Sequence, residues 1–106
     1  MTTFDDREQA FERKYAHDEE MRFKAEARRD KLLGFWAAGL MGLEGQDAED
    51  YAKAVVIADL AEAGDEDVYR KVAADLEAKG VSSDGLRAKM DELLAEAKAQ
   101  LMSERG

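Results

Sequence analysis

From Leu86 onward, apolar positions recur at spacings of three and four: Leu86, Met90, Leu93, Leu94, Ala97 and Leu101. That is the period of one helical face, and it predicts an amphipathic helix with a single stripe turned to a core. Ser82 stands as its N-cap, with Val81 and Leu86 placed to form a hydrophobic staple. The segment before it opens at Asp65-Glu66-Asp67, where acids favour the positive end of a helix dipole. Val68, Val72 and Leu76 line one face, Tyr69 and Ala73 lie beside them, and Gly80 closes the helix. Glu66 with Arg70, Asp67 with Lys71 and Asp75 with Lys79 are i,i+4 pairs with the acid first. Each contributes about 0.3 kcal/mol and marks a solvated outer face. A further helix is expected from near Asp47, with Tyr51, Ala52, Val55, Val56, Ala58 and Leu60 as a wide apolar face and Gly64 as its stop. The short link to Asp65 predicts a sharp corner.

The first segment is longer and changes character within itself. Nothing from Asp5 to Leu33 breaks a helix. From Met21 the apolar face is dense: Phe23, Ala27, Leu32, Leu33, Trp36, Ala37 and Leu40. Trp36, the only tryptophan, is expected to anchor the core. Residues 34–43 carry no charge, but at half the length of a membrane span they fit the end of a buried helix. Before residue 18 the apolar positions thin out to Phe4, Ala10, Phe11, Tyr15 and Ala16. Phe4, Phe11 and Tyr15 would share one side of a helix. That strip is too narrow to hold a short helix in water. Residues 1–17 are therefore expected to form a flexible arm, a latent amphipathic helix that orders in a partner's groove. Packing of the strip on the protein's own core is the competing possibility. The expected fold class is all-α, with residues 18–106 as a four-helix globular domain carrying a mobile N-terminal arm.

Composition supports the helical assignment. Alanine and straight-chain Glu, Lys, Arg and Leu are abundant, proline is absent and β-branched residues are few. The net charge of -9 argues against nucleic acid as partner and against electrostatic docking on anionic lipid. The charge is unevenly spread. Residues 21–33 hold five basic groups against two acidic, whereas residues 1–20 hold three against seven and residues 44–106 hold eight against sixteen. Arg22, Lys24, Arg28, Arg29 and Lys31 thus lie between two acidic regions. They can pair with nearby acids, Asp18 with Arg22 and Glu20 with Lys24. Alternatively, Arg28, Arg29 and Lys31 near Trp36 offer a docking patch for an acidic surface, or charge and stacking for a nucleotide.

Catalytic chemistry is sparse. There is no cysteine, hence no disulfide, thiol nucleophile or thiolate metal site, a composition that suits a reducing cytosol. The start of the chain shows no basic segment followed by an apolar run, so no secretory signal is expected. The single histidine, His17, lies on a polar stretch and cannot assemble a nucleophilic triad alone. Calcium loops counted from Asp47 or Asp65 put Ala52 or Arg70 where glycine is needed, and Ala58 or Leu76 where glutamate is needed. No phosphate-cradling glycine motif is present. The chain is expected to be neither an enzyme nor a holder of cofactor or metal.

The stretch Ala16-His17-Asp18-Glu19-Glu20-Met21-Arg22-Phe23-Lys24-Ala25-Glu26-Ala27-Arg28-Arg29, continuing through Lys31-Leu32-Leu33-Gly34-Phe35-Trp36-Ala37-Ala38, resembles the ζ subunit family of the α-proteobacterial F1FO-ATP synthase. Thr2-Thr3-Phe4-Asp5-Asp6-Arg7-Glu8, Tyr51-Ala52-Lys53 and Lys89-Met90-Asp91-Glu92-Leu93-Leu94 fit the same pattern, so the resemblance runs over essentially the whole chain. It implies a regulatory subunit that inhibits ATP hydrolysis, its arm entering a catalytic α/β interface of the F1 head near the central stalk and blocking reverse rotation. Phe4, Phe11 and Tyr15 would supply the apolar face, and Arg7, Arg13 and Lys14 would meet partner acids. The implied protein is a monomer when free, cytoplasmic, and peripheral on the inner membrane through the synthase. A small nucleotide-binding module or a generic adaptor is the alternative.

Overall fold

In a computed structural model the described residues are 19–60 and 64–105; they form four helices and no strand. These are α1 (Glu19–Leu40), α2 (Gly45–Leu60), α3 (Glu66–Ala78) and α4 (Leu86–Arg105). The expected arm, with Phe4, Arg7, Phe11, Arg13, Lys14, Tyr15 and His17, lies outside the described residues.

α1 is the central element. It packs against α2, α3 and α4, whereas α2 and α4 do not touch each other. Leu33 and Ala37 of α1 meet Val55 of α2, Val68, Val72 and Leu76 of α3, and Leu86, Met90 and Leu93 of α4 in one core. Trp36 is half-buried against this cluster, with Lys89 Nζ 5.5 Å from its ring centre. A second cluster, Met21, Ala25 and Leu101, binds the start of α1 to the end of α4. The stripes expected on α3 and α4 are the ones buried; Val68, Val72 and Leu76 are fully enclosed. The face expected on α1 is corrected in part. Phe23 and Leu40 are exposed, and the buried stripe runs through Met21, Ala25, Arg29, Asp30, Leu33, Gly34, Ala37 and Ala38.

The helix ends follow backbone rules. α1 and α3 both stop in the motif in which a glycine turns left-handed and two amides reach back to orphan carbonyls. Leu43 N–H donates to Ala38 O at 2.8 Å and Gly42 N–H to Gly39 O at 3.2 Å, with Gly42 at φ 79°. Val81 N–H to Leu76 O at 2.9 Å and Gly80 N–H to Glu77 O at 3.0 Å repeat it around Gly80. α4 starts later than the Ser82 cap predicts. Ser82 Oγ accepts from Asp84 N–H at 3.1 Å, closing a turn, and Gly85 O accepts the first helical bond from Lys89 at 3.0 Å.

The close approach of α1 and α2 depends on Gly34. A Cβ added there would lie 2.5 Å from the Ala52 Cα, so the helices cross at a distance that only hydrogen permits. α2 and α3 are joined by Asp75, which accepts from Tyr51 Oη at 2.8 Å and from Lys71 Nζ at 3.0 Å. The ion pairs expected along α3 are therefore corrected: Lys71 pairs with Asp75, Arg70 with Asp67, and Glu66 with Arg87 of α4. Only Glu66 takes a partner from another helix; Asp67 and Asp75 find theirs within α3, three and four residues away.

Candidate functional site

The basic stretch of α1 is divided among several surroundings. Lys24 pairs with Glu20 at 3.4 Å on an exposed face, as the local spacing predicts. Asp18, the expected partner of Arg22, lies outside the described residues. Arg28 reaches α4, donating to Glu104 at 2.6 and 3.0 Å and to Gln100 at 2.9 Å. Lys31 is exposed, and together with Lys24 and Arg28 it lines a shallow groove beside Leu101. Trp36 sits against the main core. Arg29 is turned away from this groove into the protein interior. The structure thus brings Arg28 and Lys31 together and leaves Arg29 and Trp36 elsewhere.

Arg29 organises the most unusual chemistry of the molecule. It is 1% exposed and donates to Asp30 Oδ1 at 2.6 Å and to Asp65 Oδ1 at 2.9 Å, with Asp59 at 4.0 Å. Burial opposes its charge, but the bond to Asp65 and the charge of Asp30 more than offset that and hold its pKa above the ordinary value. Asp65 occupies the N-cap position of α3 yet makes no capping bond, because its carboxylate is drawn to Arg29. One guanidinium thereby joins α1, the end of α2 and the start of α3.

The carboxylates around it exceed what one guanidinium can balance. Asp30 is fully buried, and its Oδ2 meets no hydrogen-bond donor of the described residues. Burial, followed by a hydrogen bond with Asp59, pushes the Asp30 carboxyl up to about 8. Asp30 therefore keeps its proton near neutrality. Glu26, a turn earlier, is also raised, by burial and then by the negative charge of Asp59 and Asp65. Asp30, Asp59 and Glu26 face a cleft of about 440 Å³ between α1 and α2. Its walls include Phe23, Val56 and Leu60, and Glu19 and Arg22 stand at the first turn of α1. Phe23 is 57% and Leu60 59% exposed, so a large apolar area is open to solvent here.

Sequence reasoning did not single out Asp30 or Asp59, and read Asp65 only as the start of a helix and a failed calcium loop. They are far apart along the chain and match no short motif. The one available signal was an acid, Asp30, between Arg29 and Lys31 on what proved to be the buried side of the helix. Among the described residues, no group of three or more potential ligands could hold a metal ion, and no helix is long and apolar enough to cross a membrane.

The sequence model of a protein family described as ATPase inhibitor subunit zeta matches residues 1–100. A solved structure described as a solution NMR structure of the protein is 55% identical, covering 79% of this chain and 98% of that one, with a TM-score of 0.71. No curated protein matches.

Proposed function

The chain belongs to the ATPase inhibitor subunit zeta family, and on that premise we propose that it restrains ATP hydrolysis by the F1 sector of an ATP synthase, with residues 1–17 as the inhibitory element and residues 18–106 as the body that presents it. The observation that carries this reading is the family match, which spans the arm and the helical body together. A second feature supports the division of labour. Among the described residues, the main core draws its buried side chains from residues 33–93, and the second cluster from Met21, Ala25 and Leu101, which gives the body a core of its own.

The protein acts by binding, not by catalysis. Phe4, Phe11 and Tyr15 enter a groove at a catalytic α/β interface near the central stalk, where the arm becomes helical. Arg7, Arg13 and Lys14 pair with acids of the partner. Ordering the arm costs conformational entropy, which the buried aromatics offset. The body remains outside and keeps the arm at high effective concentration beside its groove. A wedge at that interface blocks rotation in the hydrolytic direction. Peripheral attachment to the membrane then comes through the synthase.

Deleting residues 2–17 tests the wedge. ATP hydrolysis by isolated F1, assayed with full-length and truncated protein, should be inhibited only by the former, while circular dichroism shows the body still helical and cooperative in melting. Undiminished inhibition by the truncated chain would refute the assignment.

A further inference from the structure

We propose that the cleft between α1 and α2 is the body's docking site on the F1 sector, and that it takes a lysine or arginine side chain carried on an apolar segment of that partner. This rests on the reading of the chain as an F1 inhibitor and adds where the body attaches and what it recognises.

Position is the first argument. Glu19, the first residue of α1, lines the cleft, and so do Arg22, Phe23 and Glu26 in the next two turns. The arm leaves the body from this same end of α1. With the arm seated in the partner, this face is the part of the body brought against it.

Chemistry is the second. Apolar walls give an occupant a dry contact: Phe23 and Leu60 are more than half exposed although both are large. The floor is acidic. Glu26, Asp30 and Asp59 line it, with Glu19 at the first turn of α1. Burial, then the negative charge of Asp59 and Asp65, raises Glu26 against the opposing charge of Arg29 and Arg22. Among the described residues the one cation lining the cleft is Arg22, at its outer turn, while Arg29 is already committed to Asp30 and Asp65 behind the floor. Carboxyl groups that outnumber the cations of a partly apolar cleft are stabilised by an incoming cationic N–H donor. An ammonium or guanidinium at the end of an alkyl stem meets both requirements, because the stem covers apolar surface while the head reaches the acids. An acidic or purely apolar segment would leave the floor uncompensated.

The test uses the full chain and isolated F1. The double variant Phe23→Ala/Glu26→Gln and, separately, Leu60→Gln on the opposite wall should each weaken binding to F1 by tenfold or more. Their melting transitions should stay within a few degrees of the unaltered protein, since all three side chains are exposed or half-exposed. Glu26→Gln alone should reduce the salt dependence of binding. A photoreactive benzophenone side chain placed at position 23 should cross-link to an F1 segment containing lysine or arginine among apolar residues. Unchanged affinity in both wall variants would overturn the proposal, as would cross-links confined to residues 1–17 of the same chain or to a second copy. Failure of the arm reading is told apart by the deletion of residues 2–17: a truncated chain that inhibits fully sinks the wedge, whereas wall variants that inhibit as tightly as the unaltered chain sink the cleft alone.

Discussion

Asp30 and Arg29 are neighbours in sequence, and both are buried on the inner side of α1. Burying an arginine beside a carboxyl is weak evidence for stability, because desolvation opposes their attraction and here keeps the carboxyl protonated. Its consequence is pH dependence. The folded pKa of Asp30, about 8, lies above its ordinary 3.8. Between those values the folded chain holds a proton that the unfolded chain has released. Stability from this group is therefore complete below 3.8 and is lost as pH rises through about 8. Glu26, also raised, acts in the same direction. Urea midpoints should fall between pH 5 and pH 8.5, and Asp30→Asn, which keeps the shape and carries no titrating proton, should flatten that slope. An equally steep slope in the variant would place the proton elsewhere.

At the scale of the helices, two glycines of α1 with the same local sequence character have opposite roles. Gly34 faces the Ala52 backbone with no room for a methyl group, so Gly34→Ala forces α1 and α2 apart and should cost about 1–3 kcal/mol. Gly39 lies within the same helix with nothing within 4 Å of an added Cβ. Gly39→Ala should stabilise by about 0.5–1 kcal/mol through helix propensity and a less flexible unfolded chain. Thermal denaturation of the two single variants separates these effects. The glycines that end helices, Gly42 and Gly80, are a third kind, held by their left-handed backbone and the amide bonds around them.

Over the whole molecule, α1 makes the most extensive contacts with the other helices, and the two hydrophobic clusters lie along it. The main cluster joins all four helices, whereas the second joins the start of α1 to the end of α4. Their contributions should be unequal. Leu76→Ala, at a fully enclosed site shared by three neighbouring elements, should cost about 2–5 kcal/mol and lower global stability. Arg28→Ala removes an ion pair to Glu104 that stands in solvent. Its effect should be confined to faster amide hydrogen exchange in the last turn of α4, with the global transition unmoved. A large global loss in Arg28→Ala would show that the end of α4 is integral to the main core.

The periodic spacing of apolar residues was sufficient for the helices themselves. Val68, Val72 and Leu76, and Leu86, Met90, Leu93, Ala97 and Leu101, are buried where a 3.6-residue repeat puts them, because a surface helix must turn one stripe inward. Gly80 as a stop was equally local, since left-handed backbone is a property of the residue. The inner face of α1 was not legible. Its stripe contains Arg29, Asp30 and Gly34 in place of apolar side chains, so Phe23 and Leu40 seemed better candidates by hydropathy. What buries Arg29 is the arrival of Asp59 and Asp65 from α2 and α3, and what requires glycine at position 34 is the backbone of Ala52. Local spacing acts over one or two turns and was enough to decide which segments are helical. The balance of charge at the α1–α2–α3 junction, and the cleft beside it, depend on groups that only tertiary packing brings together.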